Sequence, residues 1–386
     1  MNIDKRMSGR VLAVPLLGGL LVACGGSTGI AAEEFSTGGG ELRGEVLHQG
    51  LNHPWAIAFL PDGGALISER PGQLRYFPDA ENFEGRGDLV SGLPDDLVAQ
   101  NQGGLLDLVL HPEFEDNRWL YFTYAAQAEG GQTTRLARGQ FADGVLEEVE
   151  ILFSAEPVAR GGRHLGSRIV FDADGYVYVS VGDRGDQDRA QKKDDHAGSI
   201  VRLYDDGSVP DDNPFVGEQG AHPEIWVTGV RNPQGMVIDP ETGIFWQNEH
   251  GPRGGDEVNI IERGLNYGWP VISHGGAYSG GPIGSGESEK EGMESALHYW
   301  TPAIAPSGMA ILRDPAFADW DGDLLVGGLR GQTLRKLTFE DRELVEEVDL
   351  LPDLGRRIRD VRVHDGAIYV LTDHNPGELI RLTPTD

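Results

Sequence analysis

Short runs rich in Val, Ile, Tyr and Phe recur along the chain, each entered through an Asp-Gly or similar turn and alternating apolar with polar residues in the manner of strands. The pattern is plainest in Pro61-Asp62-Gly63-Gly64-Ala65-Leu66-Ile67 and Asp174-Gly175-Tyr176-Val177-Tyr178-Val179. It returns in Asp321-Gly322-Asp323-Leu324-Leu325-Val326 and Asp365-Gly366-Ala367-Ile368-Tyr369-Val370. Looser copies are Asn117-Arg118-Trp119-Leu120-Tyr121-Phe122-Thr123-Tyr124 and Thr242-Gly243-Ile244-Phe245-Trp246. Such units, roughly 40 to 80 residues apart, predict an all-β fold, a six-bladed β-propeller in which each blade buries its faces against its neighbours. Uneven spacing means long insertions, and propeller insertions gather at one face and build the site.

Composition supports this. The 386 residues include 56 Gly and 22 Pro, the mark of many tight turns rather than long helices. A β-sandwich or a pair of smaller β-domains is the competing architecture. A Gly-rich, polar stretch, Glu33 to Gly40, reads as linker, and none like it follows. The expected organisation is a signal over residues 1–24, a flexible tether over 25–40 and one propeller domain over 41–386.

The 62 acidic and 32 basic side chains leave a formal net charge of −30, which repels nucleic-acid phosphates and anionic membrane surfaces and excludes nucleic acid as a partner. A solvated surface accounts for much of the acid; a few organised carboxylates on a cation is the sharper alternative.

Cys24 is the only cysteine, so an intramolecular disulfide and a multi-thiolate metal site are both excluded. Lys5, Arg6 and Arg10 precede an apolar run from Val11 to Val22, the layout of an export signal and too short for a membrane span. Leu21-Val22-Ala23-Cys24 closes that run and resembles the lipobox of bacterial lipoproteins, with Cys24 as the lipidated residue; an ordinary cleaved signal is the alternative. Both put the mature domain outside the cytoplasm. With Gly25 rather than aspartate after Cys24, the expected location is the periplasmic side of the outer membrane, held only through the lipid.

Three clusters carry chemistry. Glu249-His250-Gly251-Pro252-Arg253-Gly254-Gly255-Asp256-Glu257, followed by Asn266-Tyr267-Gly268-Trp269-Pro270, combines glycines that let carbonyls converge with carboxylates, the oxygen donors of a hard cation such as calcium. A glycine-rich surface loop with incidental acids is the plain reading. In the second cluster, Arg163-His164-Leu165-Gly166-Ser167-Arg168 precedes a strand, and Gly182-Asp183-Arg184-Gly185 ends that hairpin; a His near an Asp can serve as an oriented base, and a structural histidine, one of 11 in the chain, is the plain reading. The third comprises Arg231-Asn232-Pro233-Gln234-Gly235 and Arg356-Arg357-Ile358-Arg359-Asp360. Strand alternation puts Arg357 and Arg359 on one side, suited to a ligand with several carboxylates or to plain salt bridges. No dinucleotide fingerprint, Walker loop, serine elbow or zincin helix is present.

Taken in order, these segments resemble the soluble PQQ-dependent glucose and aldose sugar dehydrogenases from about Leu47 to Pro384. Close to the family pattern are His53-Pro54-Trp55-Ala56-Ile57-Ala58-Phe59, Gln102-Gly103-Gly104-Leu105-Leu106-Asp107, His111-Pro112 with Phe114, Arg231-Asn232-Pro233-Gln234-Gly235, the Glu249–Glu257 run and Ile304-Ala305-Pro306-Ser307-Gly308-Met309. The resemblance implies a six-bladed propeller holding pyrroloquinoline quinone (PQQ) and calcium on its top face and oxidising an aldose at C1. An external electron acceptor would then reoxidise the quinone. By the same resemblance His164 is the general base and Asp183 orients it. Gly251 and Pro252 offer carbonyls to the catalytic calcium, while Glu257 and the backbone of Tyr267 match a second, structural calcium. Gln102, Arg231, Asn232, Arg330, Arg357 and Arg359 match cofactor contacts. Arg330 stands where glucose-specific members have lysine, and Arg163 where they have an acid, which places the chain nearer the aldose sugar dehydrogenase branch. A calcium-dependent propeller lactonase or esterase and a non-enzymatic envelope binding propeller are the alternatives; the paired Arg357 and Arg359, with Arg231, speak against the first and His164 with Asp183 against the second.

Overall fold

The computed structural model describes residues 34–36 and 41–385; the export signal, Cys24 and most of the expected tether lie outside them. Six sheets form, five of four antiparallel strands and one of five. The first strands of the blades are Pro54–Phe59, Leu105–Leu110, Ile169–Phe171, Pro233–Ile238, Pro306–Ile311 and Ile358–His364. Each packs on the next and the sixth on the first, closing a ring around a central axis. The six-bladed propeller expected from the recurring turns is the fold observed.

All six recurring units occupy one structural position, the turn from first to second strand together with the second strand. Those second strands are Ala65–Glu69, Trp119–Ala128, Val177–Val181, Phe245–Glu249, Leu324–Gly328 and Ala367–Thr372. In one respect the pattern misleads. An alternating strand implies one wet face, whereas Ala65–Glu69, Val177–Val181 and Ala367–Thr372 are buried at every position because neighbouring blades cover both faces. Apolar clusters fill each gap between adjacent blades. Trp55, Leu66 and Leu74 of the first blade, for example, meet Leu105, Phe122 and Phe141 of the second.

Ring closure joins the two ends of the described chain. Leu42–Leu51 runs antiparallel to Gly377–Pro384, so an N-terminal strand completes the C-terminal blade and leaves no open seam. Glu34–Ser36, inside the stretch expected as tether, pairs with Arg43–Glu45 and adds a fifth strand to that sheet. An edge strand offers its outer amides and carbonyls to any segment that can pair with them, and this one does. Among the described residues no helix is long and apolar enough to cross a membrane.

On the axis, Arg168 is 2% exposed and binds four blades together. Its Nη1 reaches Asp107 at 3.0 Å and Asp360 at 2.9 Å, its Nε reaches the Gln234 carbonyl at 2.6 Å, and Nη2 the Arg359 carbonyl at 3.2 Å. Arg362 adds a second cation to both carboxylates, and Asp360 also accepts from the Ile57 amide. Removing one partner from such a buried network strands the others, so Arg168→Met is expected to lower unfolding free energy by about 3–5 kcal/mol. Urea denaturation measures it; a loss below about 1 kcal/mol would show that the network contributes little.

Candidate active site

In an antiparallel blade the start of the first strand and the end of the second lie at the same face. His164, Arg231, Asn232, Arg357 and Gln102 come before first strands, while Asp183, Gly251, Pro252 and Arg330 come just after second strands. One face of the propeller therefore carries them all. The Asp-Gly turns lie on the opposite face.

His164 and Asp183 are brought together by backbone contact that only glycine permits. A Cβ at Gly182 would stand 2.3 Å from the His164 carbonyl oxygen, and one at Gly166 would stand 2.6 Å from that of Ser180. His164 itself takes φ of 50°, and its amide donates to Gln102 Oε1 at 2.7 Å. In this position His164 Nδ1 lies 2.6 Å from Asp183 Oδ1. Asp183 is buried and also accepts from the Gly185 amide at 2.7 Å and from Trp269 Nε1 at 2.9 Å. Burial would raise its pKa, but the His164 bond, the charges of His164 and Arg231 and the Gly185 amide hold it below the usual carboxylate value. An ionised Asp183 favours, in a neutral imidazole, the tautomer with its proton on Nδ1.

Two cavities meet this face. The smaller, about 290 Å³, is lined among others by Trp55, Gln102, Asn232, Gln234, Arg357, Arg359 and Asp373. Its cations are fixed: Arg359 Nη1 donates to Gln234 Oε1 at 3.0 Å, and Arg359 and Arg357 both reach Asp373 Oδ2, at 3.3 and 3.4 Å. The two arginines do share a side, as alternation predicts. The wider cleft, about 650 Å³, holds His164, Asp183, Arg163, Arg231, Pro252 and Trp269. Arg231 bridges to the Gly251 loop through the His250 carbonyl at 2.8 Å and lies over the Trp269 ring. Asn232 Oδ1 accepts from the Gly166 amide at 3.3 Å, tying it to the His164 segment.

The Gly251–Gly255 loop folds back on itself. A Cβ at Gly251 would stand 2.0 Å from the Gly255 carbonyl oxygen and 2.5 Å from that of Gly254, so only glycine fits at that position. Asp256 holds the loop by accepting from the amides of Gly251 at 2.8 Å and Ala305 at 2.7 Å. No hydrogen bond within the described residues reaches the carbonyl oxygens of Gly251, Pro252 or Tyr267. Glu257 pairs across its strands with Glu249, and burial, with the charge of Glu249, raises its carboxyl above the usual range. Tyr267 is elsewhere on the loop side, its amide donating to Thr228 at 2.9 Å.

The structure does not bring Arg330 into either cavity. It is exposed on a tight turn, its amide donating to the Ile304 carbonyl at 2.9 Å, and its neighbour Leu329 takes the wall. The sequence reading gave no role to Trp269, Gln234 or Asp373. The first two sit inside quoted motifs, whereas Asp373, in Thr372-Asp373-His374, carries no local signal.

Residues 51–381 match the family described as Glucose / Sorbosone dehydrogenase. The chain belongs to that family. The aldose sugar dehydrogenase of Escherichia coli is 41% identical over 346 residues, 88% of this chain and 92% of that one. The crystal structure of the soluble E. coli aldose sugar dehydrogenase in the apo-form superposes with a TM-score of 0.85 at 40% identity, covering 89% of this chain and 100% of that chain. Quinoprotein glucose dehydrogenase B of Acinetobacter calcoaceticus is 26% identical over 440 residues, 88% of this chain and 90% of that one. Membership in the glucose/sorbosone dehydrogenase family gives the two cavities their chemical context.

Proposed function

We infer that the chain is a PQQ-dependent aldose sugar dehydrogenase that oxidises the C1 hydroxyl of an aldose to the lactone. The observation that carries this reading is the pairing of an oriented His164–Asp183 couple with an adjoining cavity whose cations face inward. The residues present fit a polycarboxylate cofactor: Arg231 Nε and Arg359 Nε are buried without a hydrogen-bond partner, a costly state that an anion relieves. They fit calcium as well, since the Gly251 and Pro252 carbonyls are uncommitted and hard cations take such oxygens. The Glu257 carboxylate and the Tyr267 carbonyl are proposed as donors to a second, structural calcium.

When bound, PQQ supplies a two-electron hydride acceptor and the first calcium a Lewis acid beside it. The remaining work falls to the chain. Arg357, Arg359, Arg231, Asn232 and Gln102 hold the cofactor's polar groups, and Arg330, outside both cavities, takes no part. His164 Nε2 takes the proton of the sugar C1 hydroxyl as the C1 hydride departs, and Asp183 stabilises the imidazolium that results. Trp269 and the Gly185 amide keep Asp183 from turning away. An external electron acceptor completes the cycle.

Dye-linked oxidation of an aldose panel by the apo-protein, with PQQ and calcium added together and each omitted in turn, tests this reading. Activity requiring both is expected; no activity and no PQQ binding would overturn it.

The export signal and lipobox support a further element of the proposal, that the mature enzyme is anchored at Cys24 on the periplasmic face of the outer membrane. Expressed as the full chain, Cys24→Ser is expected to move the protein from the membrane fraction to the soluble periplasm. A wild-type protein already soluble would exclude the anchor.

A further inference from the structure

Between Asp256–Ile260 and His298–Trp300 of the fourth blade lies a long excursion with a tight turn at its centre. The Ala277 amide donates to the Gly281 carbonyl at 3.0 Å and the Gly280 amide to the Ala277 carbonyl at 2.9 Å, so the turn is closed on itself. It is also stapled to the Gly251–Gly255 loop: the Arg253 amide donates to the Gly276 carbonyl at 2.9 Å, and the Gly276 amide returns a bond to Arg253 at 3.1 Å. The contact is backbone-close, since a Cβ at Gly275 would stand 2.3 Å from the Gly254 carbonyl oxygen and 2.8 Å from Pro252 Cγ. On the other side Ile283, 8% exposed, packs with Trp269 and Ala190.

Tyr278 projects from this fixed turn. It is 74% exposed, more than any other large hydrophobic residue described, and its side chain makes no hydrogen bond or ring contact. Yet it lines the same cleft as His164, Asp183 and Trp269. A chain that needed only to close this loop has no use for a bare aromatic ring in the cleft that holds the His164–Asp183 pair. Aromatic faces bind the C–H surfaces of apolar and amphipathic ligands, and a rigid support keeps the ordering cost of binding small.

We propose that Tyr278 is a stacking platform for the pyranose ring of the substrate and so a specificity-determining residue of the cleft; this rests on the sugar dehydrogenase reading. The ring plane would select sugars that present a continuous axial C–H face, while the phenol oxygen is not needed. Steady-state oxidation of a panel of aldopyranoses by the PQQ- and calcium-loaded enzyme tests it. Tyr278→Ala is expected to raise KM about three- to tenfold with kcat nearly unchanged, the effect of losing one aromatic contact. Tyr278→Phe is expected to keep the wild-type KM.

An unaltered KM in the alanine variant would overturn the proposal, as would a phenylalanine variant as impaired as alanine, which would assign the effect to the hydroxyl. Saturation-transfer NMR of the same sugars on the apo-protein gives a readout independent of turnover. Transfer to sugar C–H protons is expected in wild type and lost in Tyr278→Ala. Inactivity of the wild-type loaded enzyme would instead strike the dehydrogenase reading, and the NMR comparison would still decide for or against the platform.

Discussion

His164→Ala is expected to lower aldose oxidation by about 10²- to 10⁴-fold while leaving PQQ affinity near that of the unaltered protein. The split follows from chemistry. In the proposed reading the cofactor's carboxylates are held by the guanidinium groups of Arg231, Arg357 and Arg359, a role that the imidazole of His164, bonded to Asp183, does not share. What is lost is a base whose tautomer is fixed by Asp183 at 2.6 Å. The backbone should tolerate the change, since the bond that sets the segment runs from the His164 amide to Gln102 and survives the substitution. Anaerobic PQQ titration and single-turnover sugar oxidation measure the two quantities separately. Turnover equal to the unaltered enzyme would remove His164 as the base, and a large loss of PQQ affinity would move it into the cofactor site.

The site was legible in part because its chemistry is clustered by the fold in a way that sequence preserves. Each blade contributes two connections to one face, and the hairpin of Ile169–Phe171 and Val177–Val181 joins the one that carries His164 to the one that carries Asp183, so the two can be paired on paper. The strand alternation that put Arg357 and Arg359 together works for the same local reason. Asp373, which both arginines reach, comes from the turn after the next strand, and a Thr-Asp-His tripeptide does not announce a carboxylate that balances two guanidinium groups. Trp269 was visible only as part of a glycine-rich motif, because its bond to Asp183 spans 86 residues and two blades. Arg330 shows the reverse case: motif position aligns it with a cofactor contact, while a tight turn leaves it facing water. The fold itself was readable from six recurring turns because every blade repeats the same first hairpin. Closure by Leu42–Leu51 was not, since that strand is entered without an Asp-Gly turn and its partner lies more than 300 residues away.

Replacing Arg357 and Arg359 together with alanine is expected to weaken PQQ binding by about 10²- to 10⁴-fold, which is two charge-assisted hydrogen bonds at about 1.5–3 kcal/mol each. The two do not contribute alone. Burial would raise the Asp373 carboxyl, but the charge of Arg359, the bond from His53 and the charge of Arg357 hold it far below the usual range. Without the arginines that carboxylate faces the cavity with only His53 beside it, at 2.8 Å, and would repel a polycarboxylate cofactor placed there. The loss should therefore exceed the sum of the single variants, a coupling that a double-mutant cycle reads directly. Arg357 is the safer single change, its side chain 41% exposed against 10% for Arg359, so Arg357→Ala should leave thermal stability nearly unaltered. Lysine at both positions keeps the charge but loses the planar fork, and is expected to recover only part of the affinity. Calorimetric titration of PQQ into each folded variant gives the dissociation constants. A double variant that binds like the parent would place the cofactor away from this cavity and leave the arginines as partners of Asp373 alone.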